Sequence, residues 1–177
     1  KNYKLIKDIN LTWQESWTPI GTESKPFSGS FDGNGHSIKI AISENKDQMG
    51  IYEEGLFGYV TGDISNLTVN GTINVKLYSG YVGAIVANME DGTILNCTSN
   101  VAVIAETTNN TLHVGGIAGA VRSSAKAAVL VDGAVNNGTI TVKGTTTEST
   151  VDSLGAGTKG GSVGGIVGFV ANESGIN

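Results

Sequence analysis

The chain has 177 residues, 15% of them charged, and a formal net charge of −5 from 11 basic and 16 acidic side chains. A basic face that could bind phosphate groups is therefore not expected, which argues against a nucleic acid or an anionic membrane surface as a partner. No apolar run approaches the roughly 18 residues of a membrane-spanning helix. The length suits a single domain over residues 1–177 with a hydrophobic core of its own.

The composition favours strands and turns over helices. The chain contains 26 Gly and 2 Pro, and Thr, Val and Asn are plentiful. β-Branched residues interrupted by Gly and Asn are typical of short strands. Cys97 stands alone, so it cannot form an intramolecular disulfide or belong to a paired zinc motif, and we expect a small buried residue.

In chain order, residues 3–11 alternate in polarity and predict one half-buried strand. Residues 27–31 predict extended structure, and residues 32–35, Asp-Gly-Asn-Gly, predict a tight turn. Ile38, Ile40 and Ile42 predict a strand with one apolar face. Residues 43–54 are interpreted as a polar loop.

One short apolar pattern then occurs four times, beginning at residues 55, 84, 116 and 165. Its second position is Leu56, Ile85, Ile117 or Ile166, its fourth is Gly58, Ala87, Gly119 or Gly168, and its sixth is Val60, Met89, Val121 or Val170. The small fourth position indicates a close approach of neighbouring backbone. The first position is interpreted as a corner.

A second element follows the first three copies, beginning at residues 64, 94 and 131. Its third position is Asn66, Asn96 or Gly133, and its seventh is Asn70, Asn100 or Asn137. These residue types tolerate the left-handed conformation, so both columns are predicted to be corners.

The spacing predicts repeats of about 30 residues that stack to share one core. Extra residues at 122–128 and 143–162 predict projecting loops, and residues 173–177 resemble the approach to another corner, so we expect further repeats beyond this chain. Stacked strands of this kind predict an all-β repeat protein.

The chain resembles the GLUG-repeat family of bacterial surface and secreted proteins. The motifs that carry the resemblance are Tyr3-x-Leu5-x-x-Asp8-Ile9-x-Leu11, Trp17-x-Pro19-Ile20-Gly21, Phe27-x-Gly29-x-Phe31-Asp32-Gly33-Asn34-Gly35-His36-x-Ile38 and Gly55-Leu56-Phe57-Gly58, with glycine-rich copies at 114–117 and 163–166. Ala84 and Ala87 depart from the glycines usual in the family. The resemblance implies an all-β fold, a parallel β-solenoid of the right-handed β-helix type, built from the repeats of about 30 residues with inserted loops. It also implies an adhesin-like cell-surface protein or a non-catalytic region of a secreted protease, and it supplies no catalytic residues.

Few residues invite a chemical interpretation. Asp32 and His36 could bind a cation or act as an acid–base pair, but a turn that leads into a strand is the favoured interpretation. His113 is assigned to a surface or corner position. The acidic pairs at residues 53–54 and 90–91 are expected to be solvated.

Three further features are interpreted as structural. Residues 155–161 suggest an anion cradle but lack the strand–loop–helix context, so a flexible insert is favoured. Asn-x-Ser/Thr sequences are interpreted as turns. The N-terminal aromatic residues could stack on sugars, but packing over the first repeat is favoured; they are Trp13, Trp17, Phe27 and Phe31.

The sequence therefore predicts a non-enzymatic, monomeric, extracellular segment of an adhesin-like bacterial surface protein, acting as a stalk or as a surface that binds a host protein or glycan. No catalytic, cofactor-binding or metal-binding residues are assigned. An accessory region of a secreted zinc metalloprotease that cleaves immunoglobulin A is the alternative. A polysaccharide-active β-helix enzyme is a third possibility, supported by fold analogy alone.

Overall fold

The computed structural model describes residues 1–14, 16–123, 129–144 and 161–172, and within these ranges it contains strands and no helix. In chain order the strands are β1 Asn2–Lys4, β2 Ile9–Asn10, β3 Ser30–Asp32, β4 Ser37–Glu54, β5 Phe57–Val60, β6 Asp63–Ser65, β7 Thr68–Gly83, β8 Val86–Glu90, β9 Thr93–Leu95, β10 Thr98–Gly115, β11 Ala118–Ser123, β12 Leu130–Asp132, β13 Val135–Asn136, β14 Ile140–Gly144, β15 Ser162–Gly164 and β16 Val167–Asn172.

These strands form three parallel sheets, and each turn of the chain adds to every sheet. The short-strand sheet has the order β1-β3-β6-β9-β12. The long-strand sheet has the order β13-β10-β7-β4-β2, with β14 and β15 also paired to β10, and the third sheet has the order β16-β11-β8-β5. The fold is a β-solenoid of about four turns, as predicted. The right-handed coiling that the family resemblance implies stays a prediction.

The register confirms the repeat that the apolar pattern predicts. Phe57 lies beside Val86, Val86 beside Ala118, and Ala118 beside Val167. These partners occupy the same position of the four sequence copies. The bend at the start of each copy carries the chain from the long-strand sheet into the third sheet, which confirms the predicted corner.

The core consists of columns of apolar side chains that stack on themselves from turn to turn. Ile42, Ile73, Val103 and Ile140 form one such column in the long-strand sheet. The first three are at most 2% exposed. In the last turn the columns open to solvent, where Val170 is 65% exposed. Units that cannot cover their own strands are thus buried by their neighbours.

The two asparagine columns differ in structure. Asn66, Asn96 and Gly133 have φ values of 52°, 51° and 60°, so the predicted left-handed corner is confirmed. The second column was predicted to be a corner as well, and at Asn70 and Asn100 that prediction is wrong, because β7 and β10 continue through them. Asn137 lies in the break between β13 and β14. Asn100 Nδ2 donates to Asn70 Oδ1 at 2.8 Å, and Asn137 Nδ2 donates to Asn100 Oδ1 at 3.0 Å. This column is a ladder of side-chain amides along the stack.

Two strand assignments also need correction. Residues 43–54 are not a loop but the second half of β4. Residues 43–46 and 51–54 pair with β7, and the register shifts between Lys46 and Ile51. Residues 3–11 are not one strand. The chain bends after β1, so that Tyr3 pairs with Phe31 in the short-strand sheet and Ile9 pairs with Ile38 in the long-strand sheet.

The N-terminal aromatic residues mostly cover the first turn, as predicted. Phe27 and Phe31 place their ring centroids 5.2 Å and 5.3 Å from that of the buried Phe57. Trp17 packs against the core and donates to the carbonyl of Gly55 at 3.0 Å. Trp13 differs, with 73% of its surface exposed. Cys97 is buried, as expected.

Candidate functional site

Asp32 and His36 do not face each other, and each has a structural partner of its own. The Asp32 carboxylate accepts hydrogen bonds from the backbone N of Asn34 at 2.8 Å and from Asn66 Nδ2 at 3.0 Å. These two bonds hold the pKa of Asp32 below its ordinary value. His36 Nδ1 lies 3.5 Å from Asp8 Oδ1. The turn interpretation of this stretch is confirmed.

Glu54 points into the stack instead of being solvated, so the expectation for residues 53–54 is wrong. Its side chain is 1% exposed, and its Oε1 lies 2.6 Å from Lys46 Nζ. Burial raises the pKa of Glu54, although the ion pair with Lys46 opposes this shift. Because Glu54 and Lys46 both belong to β4, the pair lies at the N-terminal end of the core.

Glu53 instead faces outward into a groove, which we call the Arg122 groove. Residues 22–24 form one wall, and Ile51, Glu53, Tyr81, Asn88 and Arg122 line the rest of a cavity of about 360 Å³. Glu53 and Tyr81 are register partners near the ends of β4 and β7. Asn88 lies on β8 and Arg122 on β11, so consecutive turns and two different sheets build the groove.

Glu53 and Asn88 form the polar floor of the Arg122 groove. Asn88 Nδ2 donates to Glu53 Oε1 at 3.1 Å. Burial raises the pKa of the Glu53 carboxyl, and the charge of Glu23 adds to this shift, while the Asn88 bond and the charge of Arg122 oppose it. Asn88 is 2% exposed, and its Oδ1 is buried without a hydrogen-bond partner. A buried acceptor of this kind is uncommon in folded proteins.

Tyr81 holds the guanidinium group that gives the groove its positive charge. The Arg122 guanidinium carbon lies 4.9 Å from the centroid of the Tyr81 ring, and Arg122 Nη2 donates to the Tyr81 hydroxyl. Both contacts fix the planar group in one orientation. The Nε atom of Arg122 is buried without a hydrogen-bond partner.

His113 continues the Tyr81 column on the outward side of the long-strand sheet, where it is half-buried. Of the predicted surface or corner position, the corner is wrong, because the residue lies within a strand. It lies within β10, where its ring centroid is 5.4 Å from that of Tyr81 and 4.5 Å from that of Phe169. Its Nδ1 is 2.7 Å from Ser162 Oγ. Burial lowers the pKa of His113, and the positive charge of Arg122 adds to the shift. The imidazole is therefore held between two aromatic rings in its neutral form.

His113 should make the stability of the wild-type chain depend on pH. The unfolded chain binds a proton on His113 below its ordinary pKa of 6.5, whereas the folded chain does so only at a lower pH. As the pH falls below 6.5, the wild type should therefore lose stability relative to His113→Gln. The loss should be complete once the pH is below the lowered pKa of His113 in the folded chain. Urea unfolding of both proteins at about pH 7.5 and about pH 5 measures this difference. A difference that is constant with pH would contradict the buried neutral imidazole.

The described residues include neither a membrane-spanning helix nor a metal-binding cluster. In the ranges that the structure describes, no helix is long and apolar enough to cross a membrane. Among the same residues, no three His, Cys, Asp or Glu side chains are grouped so that they could hold a metal ion.

Comparison with known proteins gives one relative. No protein-family profile matches the chain, and no solved structure matches it. The chain is 35% identical over 132 residues to Halomucin from Haloquadratum walsbyi (strain DSM 16790 / HBSQ001), an alignment that covers 67% of this chain. The chain spans only 1% of the length of that protein. The similarity is consistent with a cell-surface protein, and membership of the GLUG-repeat family stays a prediction.

The Arg122 groove was missed at the sequence level because its residues form no local motif. Glu53, Tyr81 and His113 are far apart in the chain and become neighbours only through the register of β4, β7 and β10. Aligning the residues just before each apolar copy could have shown a column of polar and aromatic residues. Residues 155–160 of the glycine-rich stretch and most of the insert at 143–162 lie outside the described residues.

Proposed function

We propose that the chain is a non-enzymatic segment of an extracellular, adhesin-like surface protein, in which the solenoid acts as a stalk and binding surface. A bacterial origin and membership of the GLUG-repeat family are parts of this proposal. The observation that carries it is the Arg122 groove, a polar cavity built on the outer side of a regular parallel stack. The partial similarity to Halomucin supports a surface location.

The environment of the acidic and histidine side chains supports a binding role over catalysis. Asp32 caps a turn, Glu54 is ion-paired inside the stack, and His113 is fixed between aromatic rings. A general acid or base must instead reach a substrate proton. These groups therefore stabilise the stack, and the groove is the part of the described surface that is shaped to receive a ligand.

Surface display can be tested with antibodies raised against the 177-residue chain. Intact source cells should be labelled, and brief treatment with an external protease should remove the label. A signal that appears only after cell lysis would contradict the proposed location.

Catalysis can be tested separately with the purified chain. We expect polysaccharides to keep their length during prolonged incubation, as judged by size-exclusion chromatography. Shortening that the Glu53→Gln variant abolishes would overturn the non-enzymatic role and favour a polysaccharide-cleaving enzyme.

A further inference from the structure

We infer that the Arg122 groove is a binding site for a neutral saccharide, recognised through its hydroxyl groups by Glu53, Asn88 and Arg122. This inference rests on the proposed binding role and names the class of ligand. The groove is formed within the described part of the chain by residues of consecutive turns, so the assembled stack is required for the site.

The groove is built before a ligand arrives. Its volume of about 360 Å³ falls within the range of about 300–1,000 Å³ that is usual for small-molecule sites. The Asn88 amide is anchored on Glu53, and the Arg122 guanidinium is anchored on Tyr81. The polar groups are therefore already gathered at the cavity, and binding requires only small rotations of their side chains.

Two residues that line the groove carry polar atoms without a partner in the protein. Asn88 Oδ1 is an acceptor and Arg122 Nε is a donor, and both are buried without a hydrogen bond. Each such atom costs free energy unless another group satisfies it. Because a hydroxyl group both donates and accepts, adjacent hydroxyls of one ligand could satisfy both atoms when the side chains open slightly toward the cavity.

The charges of the groove differ in sign. Glu23 and Glu53 face the groove together with Arg122, so two carboxylates accompany one guanidinium. The carboxylates oppose a phosphate or sulfate group, and a lysine or arginine side chain that they attract would lie beside the guanidinium that Tyr81 already holds in the groove. A neutral ligand with many hydroxyls meets no like charge.

The groove also has an apolar part. Ile51 lines the cavity and is 73% exposed. Saccharides carry C–H groups on their ring faces besides their hydroxyls, and these groups can lie against an aliphatic side chain. The Tyr81 ring, by contrast, already packs against Arg122 and His113, so Tyr81 is a positioning residue.

The test is a titration of the isotopically labelled 177-residue chain followed by NMR. The probes are the methyl glycosides of glucose, galactose, mannose and N-acetylglucosamine, with a tetra-arginine peptide and sodium sulfate as comparisons. At least one glycoside should shift the backbone amides of residues 53, 81, 88 and 122, and the peptide and sulfate should not. Shifts of these amides by the peptide or sulfate alone, or by no probe, would overturn the inference.

Variants identify the groups involved. Glu53→Gln keeps the size of the side chain but removes the charged acceptor, and Arg122→Lys keeps the charge but removes Nε. Each should weaken binding of the glycoside by about tenfold or more. Glu106→Gln is the matched control, because Glu106 is 41% exposed and pairs with Lys76 on the long-strand sheet. Equal affinity in all three variants would place the ligand elsewhere and overturn the inference.

The two proposals fail in different ways. Glycoside binding by the purified chain together with a purely intracellular location would overturn the proposed location and leave the groove assignment standing. Surface display with no glycoside binding would overturn the groove assignment alone.

Tyr81→Phe adds a test of positioning, because loss of the hydroxyl that holds Arg122 should weaken binding while circular dichroism shows an unchanged fold.

Discussion

Replacement of Gly119 by alanine is expected to destabilise the stack by about 1–3 kcal/mol. A Cβ atom at this position would lie 2.6 Å from the carbonyl oxygen of Ala87 and 2.7 Å from the backbone N of Val82. Both atoms belong to paired strands of the preceding turn, so they cannot move aside without breaking register. Urea unfolding followed by circular dichroism measures the loss.

Gly165 is the matched control for Gly119, because it belongs to the fourth copy of the same apolar pattern. A Cβ atom at Gly165 would meet nothing within 4 Å. Gly165→Ala should therefore be neutral, or stabilising by up to about 1 kcal/mol through the lower entropy of the unfolded chain. Equal destabilisation by the two substitutions would contradict the close approach of backbone at the fourth position.

Truncation of Phe57 should have the largest effect of any single substitution considered. Phe57 is 0% exposed, and its ring contacts those of Phe27 and Phe31. Phe57→Ala removes these contacts and leaves a cavity, at a cost of about 3–5 kcal/mol. A drop in the midpoint of urea unfolding, with loss of the near-ultraviolet aromatic signal, is the expected observation.

Trp13 provides the comparison for Phe57. It is one of the N-terminal aromatic residues, but it is 73% exposed. Trp13→Ala should change the free energy of unfolding by no more than about 0.5 kcal/mol. If Trp13→Ala destabilised the chain as much as Phe57→Ala, the N-terminal aromatics would not divide into core and surface residues as the structure indicates.

The repeat and its inner columns could be predicted from the sequence because periodic burial imposes periodic composition. Residues at the fourth position are small because neighbouring backbone excludes larger side chains, and Asn66 and Asn96 mark corners because asparagine tolerates positive φ. These requirements recur in every turn, so the same residue types recur in the sequence. The stack could therefore be derived from spacing without reference to any relative.

Features that depend on pairing between turns could not be predicted in the same way. Residues 43–54 are polar enough to suggest a loop, yet they extend β4 because β7 offers a matching line of backbone groups. Asn70 and Asn100 have the residue type of a corner, but their amides are more fully satisfied by each other. Local propensity was overridden by tertiary pairing in both cases.

The Arg122 groove could not be predicted from the sequence for the same reason. The apolar pattern at residues 55–60 describes the inner wall of the stack, whereas Glu53 and Asn88 lie on its outer side and are free to differ from turn to turn. A binding site on a solenoid arises from outward residues that do not repeat. Register must be known before such residues can be recognised as neighbours.

The most direct test of the account is therefore a measurement of the register between β4 and β7. Ser43 and Asn74 are exposed register partners of the strand pair that also places Glu53 beside Tyr81. Paired parallel strands lie about 4.8 Å apart, which a disulfide can span. The Ser43→Cys/Asn74→Cys variant should form an intramolecular disulfide under mild oxidation, detected by mass spectrometry.

Ala41→Cys/Asn74→Cys is the control, because Ala41 is exposed on the same strand but pairs with Thr72. Its two cysteines would be about 8 Å apart, beyond the reach of a disulfide without backbone movement. The account predicts rapid cross-linking of the first variant and little of the second. Equal cross-linking of both, or none in either, would contradict the parallel register of β4 on β7 over residues 37–46, on which the stack is built.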